Sequence, residues 1–456
     1  MNWDLYLRLS ALMALEYAVW GAWMSVLAVR LLGPLKMTGK QTGWIYATLP
    51  LACIFAPLAS GYLADSRFNA EWIILVSHAV GAILLFVAAR QTKFGGMFLT
   101  MLLYSIFYTA TLPLVNKMVF SQLHSEATWI FLWAPVAWAL IGYLLTGIRQ
   151  VRKTGGDGPD SLYLAGILSL VMVVVCFFQM PLKPASEGNP MIEALAMLKN
   201  NSYLIFILVQ LVVSGMMQFY FLGTGRFLQD RGVKGKNVSA VMALAQAVQA
   251  VATIVLLDWL IGLSKVLGYG EYEGYRWIFI VGALCWTFLY ITYVVSKRAL
   301  WVMLIQAFHG LAYVFFMIGG QMFVGKMAPE AIGASAQSLI FIATNGIGLF
   351  LGTQLAGLVM QRNSVGEKFQ WTKIWSVPLA ITLGGAIAFA ILFRVPSPDD
   401  FKKDNVAPNI EKLTDDDALS KNLGLSLRPL DASRRSATFR SCRDSHACNS
   451  TGPCIT

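Results

Sequence analysis

Residues 5–32 read LYLRLSALMALEYAVWGAWMSVLAVRLL. A secretory signal carries an apolar core of only about 7–15 residues ahead of a small-residue cleavage site. This run is far longer, shows no such site and contains Glu16. At about 1.5 Å per residue it crosses some 30 Å of hydrocarbon as a helix, so it reads as a retained span. The rest of the chain repeats the pattern. Of 456 residues, 57% are hydrophobic and 13% charged, with a mean hydropathy of +0.61. A soluble protein usually carries about 25% charge, so this chain cannot cover a water-facing surface. Disorder and coiled coil, which both need a polar majority, are excluded for most of its length.

Twelve apolar segments can be marked: 6–32, 41–64, 71–90, 95–120, 129–149, 161–181, 202–228, 238–264, 275–296, 299–324, 334–361 and 373–395. Only helices or closed barrels satisfy the backbone in lipid, and segments this long are helices. Most connections are short. The longest, 182–201 with Pro184, Gly188 and Pro190, divides the chain into an N-terminal six-helix half (1–181) and a C-terminal one (202–395). A faint echo links the halves: NKMVFSQLHSEATWIFL at 116–132 and GKMAPEAIGASAQSLIFI at 325–342 stand at corresponding places. Paired halves are a recurrent transporter plan. Residues 396–456 are polar, include Asp415-Asp416-Asp417 and lack apolar periodicity, so they read as a disordered tail.

The net charge of +11 comes from short Lys/Arg clusters between spans. No basic stripe is present, so no nucleic-acid partner is expected. Cys53, Cys176 and Cys285 stand alone in apolar runs, while Cys442, Cys448 and Cys454 crowd the end of the chain. Neither a disulfide framework nor a zinc site follows from these spacings. No Walker loop, GxSxG or HExxH occurs, so neither an ATP-driven pump nor a membrane hydrolase is indicated. No metal and no cofactor is expected.

A charge in hydrocarbon costs about 2.5–3.5 kcal/mol on insertion scales, so an intramembrane carboxylate needs an explanation. Glu16 is the one acidic residue well inside a span. It either faces a central cavity, where it exchanges a proton or binds solute, or it hydrogen-bonds a neighbouring helix and serves packing. Uncharged amides are more plentiful. Gln246 and Gln249 share one face of span 8 at i, i+3, and Gln210, Ser214 and Gln218 step along span 7. Span 10 holds Gln306, His309 and Gln321. Amides both donate and accept, which suits a neutral polar ligand such as a sugar or nucleoside; they also join helices in membrane bundles. The set in spans 7 and 8 points to a cavity. Aromatics are dense, among them Trp20, Trp138, Tyr220, Phe221 and Tyr313, and some could stack on a planar ring. His78 and His309 have no second metal ligand at helical spacing and read as core histidines satisfied by neighbours.

GYLADSRF at 61–68 resembles the loop between spans 2 and 3 of the major facilitator superfamily. More specifically, EYAVWGAW (16–23), SHAVGAILLF (77–86), MLKNNSYLIF (197–206) and APEAIGASAQSLIFIATNGIGLFLG (328–352) resemble the nucleoside–proton symporter family. The resemblance covers about residues 5–395 and implies an all-α fold of twelve transmembrane helices in two six-helix halves. It further implies nucleoside-binding amides at Gln218 and Gln246. Several family positions are changed. The second amide of span 7 is Phe221, and the acidic position after Gln246 is Gln249. The aromatic–acid pair of span 10 is Tyr313-Val314, and the basic residue of span 5 is Phe131. Glu16 is then the remaining candidate for proton coupling.

The resemblance implies a cytoplasmic GYLADSRF loop, and hence a cytoplasmic N-terminus in the inner membrane. The charge rule opposes this, because the outside connections would then hold more Lys and Arg than the inside ones. The reading is a monomeric, multi-pass secondary transporter that moves nucleosides by alternating access with proton coupling. Its substrate-binding candidates are Gln218, Gln246, Gln249, Tyr313 and Phe221, with Glu16 as proton carrier. Two alternatives remain. One is a carrier or uniporter for a sugar or other small polar metabolite; the other is a receptor or scaffold that has lost transport.

Overall fold

The computed structural model describes residues 3–401 except 123–126, 180, 182–194, 269–271, 330–332 and 367. Eleven helices among these residues are long and apolar enough to cross a membrane. In the N-terminal half they are α1 (Trp3–Leu32), α2 (Gly39–Ser66), α3 (Ala70–Arg90), α4 (Phe94–Gln122) and α5 (Trp129–Arg152). A shorter helix, α6 (Asp160–Cys176), completes this half. Its 17 residues reach about 26 Å, enough to span most of the hydrocarbon. The C-terminal half holds α7 (Asn201–Asp230), α8 (Val238–Val255), α9 (Glu273–Val295), α10 (Ala299–Met327), α11 (Ala336–Arg362) and α12 (Trp371–Ile391).

Local chemistry sets the ends. Thr38 and Gln41 form a capping box at the start of α2, and the Asn200 side chain accepts the Tyr203 N–H at the start of α7. Lys153 ends α5 in the left-handed conformation, φ 55°. Several spans are interrupted in ways that no apolar run announces. The α1 helix breaks after Met24 and resumes at Leu27, and α8 is followed beyond Leu256 by a further helix, Leu257–Val266. Both α10 and α11 widen into π-helical turns, at Tyr313–Ile318 and Ile342–Gly348. Such turns tend to gather at functional sites.

Two differences from the sequence reading concern the ends of the halves. The sixth span stops at Cys176 rather than 181. The chain also stays packed beyond 395: a short turn, Pro398–Phe401, seats Phe401 on Tyr203 with ring centroids 5.5 Å apart. Phe401, the sixth residue of the polar segment, is buried by a contact that composition does not carry. Residues 402–456, and most of the central 182–201 connection, lie outside the described residues.

The halves meet along α2–α11, α5–α8 and α1–α7. Small residues let the backbones approach, as membrane packing requires. A Cβ on Gly142 of α5 would stand 2.7 Å from that of Ala243 on α8, and one on Gly43 would stand 2.8 Å from the Thr353 carbonyl. These contacts gather toward one end of the bundle, the end that carries the α1–α2, α5–α6 and α7–α8 connections. There Arg149, 1% exposed, forks onto Asp160 of its own half and donates to Ser239 Oγ of the other at 2.9 Å.

Candidate functional site

Gly310 fixes how α10 lies on α8. Any Cβ there would overlap the Ala245 carbonyl and stand 2.9 Å from the Gln249 nitrogen. This close approach sets His309 and Tyr313, one turn apart on α10, beside the Gln246–Gln249 stretch of α8. From α7 come Gln218 and Phe221. All but the half-buried Tyr313 are buried, and Gln218 is fully so.

The amides divide into two kinds. Gln210 donates to the Phe316 carbonyl at 3.1 Å, and Gln306 donates to Tyr293 Oη and the Val302 carbonyl at 2.6 and 2.7 Å. These two join helices. Gln218 has neither amide atom bonded within the protein, whereas Gln210, Gln249 and Gln306 each leave only Oε1 buried without a partner. A buried amide left unmatched costs about 1–3 kcal/mol, so such groups ask for a ligand or water. Gln246 lies one turn before Gln249, 6% exposed.

Phe221 contributes an apolar wall that reaches across the seam. Its ring centroid lies 6.3 Å from that of Trp138 on α5, which in turn lies 5.1 Å from Trp20 on α1. The site therefore touches both halves. Phe131, at the altered span-5 position, instead packs on the apolar cluster of the N-terminal half around Ile130.

His309 departs from its reading as a satisfied core histidine. Trp286 Nε1 donates to its Nδ1 at 3.2 Å, but the buried Nε2 has no protein partner. His309 also stacks on Tyr220, centroids 3.7 Å apart at 10°, and the Tyr220 hydroxyl is likewise unpartnered. An isolated histidine in an apolar run gives no sign of which of its nitrogens will be met.

Glu16 lies in a separate buried cluster within the N-terminal half. Its Oε2 is 3.0 Å from His78 Nε2 on α3, and its Oε1 accepts from Thr111 Oγ1 on α4 at 2.7 Å. His78 Nδ1 lies 3.4 Å from Ser169 Oγ on α6, and the Tyr108 hydroxyl donates to the Glu16 carbonyl at 2.8 Å. Glu16 is 0% and His78 2% exposed. Of the two sequence readings, the geometry has the interhelical bond; it also supplies a titratable partner that spacing alone could not pair with Glu16.

Two helical halves meeting over buried amides and aromatics define a major facilitator transporter. The comparisons narrow the class. A family model described as nucleoside H+ symporter matches residues 3–398, and the chain belongs to that family. The nucleoside permease NupG of Escherichia coli K12 is 25% identical over 414 residues, covering 86% of this chain and 96% of the permease. The putative nucleoside transporter YegT of the same strain is 27% identical, covering 85% and 93%. The xanthosine permease of that strain is 24% identical, covering 85% and 96%. A crystal structure of NupG superposes with a TM-score of 0.74 at 23% identity, covering 87% of this chain and all of NupG. A POT-family peptide transporter reaches 0.64 at 13% identity, covering 86% and 98%, which shows how widely the fold is shared.

Proposed function

We propose that this protein carries nucleosides across the cytoplasmic membrane by rocking its two halves about the Gln218–Gln246–Tyr313 site, coupled to protons. The observation that carries the reading is Gln218, an entirely buried amide with no protein partner, one turn before Phe221 on α7. A nucleoside offers the matching chemistry: a planar base for aromatic walls and polar edges for amides. The family and the names of its permeases support the same class of solute. In this reading Gln246, Gln249, Tyr313 and Phe221 complete the substrate contacts, and residues 1–181 and 202–395 are the moving halves.

Protons are assigned to Glu16 together with His78. No carboxylate stands in the span-10 position held by Val314, and the pair joins α1 to α3 inside the N-terminal half. The N-terminus is placed in the cytoplasm and the protein acts as a monomer. Counterflow in proteoliposomes tests the whole reading: preloaded unlabelled uridine or inosine should accelerate entry of the labelled compound. A receptor would bind without exchange, and a sugar carrier would exchange a sugar and not the nucleoside.

A further inference from the structure

His309 carries more information than a buried ring usually does. The indole N–H of Trp286 can only donate, so the Nδ1 it meets at 3.2 Å must be an acceptor. A neutral imidazole then bears its proton on Nε2, and that donor is fixed, fully buried and without a protein acceptor. The ring cannot turn to find one: Tyr220 lies flat against it at 3.7 Å, and Phe221 stands edge-on at 5.7 Å and 82°. Gln218, three residues before Phe221 on α7, has no bonded amide atom. A single donor of fixed tautomer, set among aromatic faces, selects for an acceptor on a flat ring.

We propose that His309 is a specificity-determining residue whose Nε2–H donates to a carbonyl oxygen of the nucleobase, so that keto bases are favoured over amino bases. Trp286 is the positioning residue that holds the tautomer. The inference rests on the nucleoside reading above and names the chemistry it selects. An amino group at the same position of the base would set donor against donor, a mismatch that leaves both groups unpaired.

Binding of inosine against adenosine, and of uridine against cytidine, tests it in purified protein. Wild type should prefer the keto member of each pair by about tenfold or more. His309→Phe keeps the ring's size without its donor and should bring each pair within about threefold, chiefly by weakening the keto compound. Trp286→Phe leaves the histidine in place but removes the donor to Nδ1. The proton is then free to move, Nε2 can accept, and the preference should fall through stronger binding of the amino compounds. A purely structural role would move all four affinities together in both variants, which overturns the proposal. Should His309→Phe fail to reach the membrane, Trp286→Phe decides alone, and an unchanged preference there counts against the tautomer lock. Wild type that binds the nucleosides without keto preference sinks this inference only; wild type that binds none of the four sinks the nucleoside reading and this inference with it.

Discussion

A carboxyl group bonded on both oxygens, inside a helix bundle and facing a histidine, is a place where one proton can be held in more than one way. The Glu16–His78 contact at 3.0 Å needs at least one proton, and Thr111 supplies a neutral donor on the other oxygen. Glu16→Gln keeps the shape and removes the ionisable group. Uphill uptake driven by a pH gradient should then vanish, while counterflow, which needs no net proton movement, should persist. Equal accumulation in mutant and wild type would make Glu16 a packing residue. The amides allow a sharper contrast. Gln218→Ala and Gln246→Ala should each weaken nucleoside binding by about 1–3 kcal/mol with little change in membrane level. Gln210→Ala and Gln306→Ala remove interhelical bonds instead, so they should lower thermal stability by about 1 kcal/mol and leave affinity nearly intact. The residue types of this site were legible in the sequence, because amides and an acid are conspicuous in apolar runs. Their division into bonded and unbonded groups was not. It depends on which carbonyl or hydroxyl the facing helix presents, such as Phe316 to Gln210 and Tyr293 to Gln306.

Helix existence follows from lipid physics, so an uninterrupted apolar run is nearly sufficient evidence for a span. The interruptions follow from packing and escape that logic. Nothing in YVFFMI marks 313–318 as a π-helical turn, yet it reorients the polypeptide at Tyr313. The break of α1 after Met24 is similarly silent. Glycines are more readable in retrospect, since those at 43, 142 and 310 each stand at a close crossing. Gly142 is the informative case because its crossing joins the two halves. A side chain there must displace Ala243, whose Cβ would lie 2.7 Å away, or the Ser239 carbonyl at 3.1 Å. Overpacking of this kind costs about 1–3 kcal/mol. Between two states of a carrier, that shifts the population by about 5–150-fold. Gly142→Val should therefore assemble normally, because the helices are free to part, but should disfavour closure of this end. Counterflow should fall by about tenfold or more, and a Cys at Ser25, on the same crevice, should react faster with a maleimide than in the Gly142 background. Unchanged exchange would mean that this seam does not open and close during transport.

At the scale of the whole molecule, the two ends of the bundle differ in charge and contact. The closed end bears the buried Arg149 held between Asp160 and Ser239, and the Arg226–Asp230 pair at 3.2 Å. It also bears a polar cavity of about 340 Å³ lined in part by Lys36, Asp157, Arg226 and Gln229. That cavity lies away from Gln218 and Gln246, at the mouth of the α1–α7 seam. Several of the cations that weigh against a cytoplasmic N-terminus thus have work in the closed structure: Arg149 and Arg226 hold carboxylates, and Arg30 donates to the Ala89 carbonyl at 3.1 Å. The positive-inside rule acts on loop charge during insertion, whereas Arg149 bridges the two halves through Ser239, and Arg226 and Arg30 are bonded within their own halves. Orientation can be read directly. Phe68, 54% exposed, lies in the α2–α3 connection, and Val151, 84% exposed, lies at the opposite end of the bundle. In a chain whose Cys442, Cys448 and Cys454 are serines, Phe68→Cys should resist an impermeant maleimide in intact cells and react after permeabilisation. Val151→Cys should react in both. Cys53, Cys176 and Cys285 are buried and should stay silent. The reverse pattern would place the N-terminus outside and the Arg149 closure at the cytoplasmic face, so that the described conformation would be the one closed toward the cell interior.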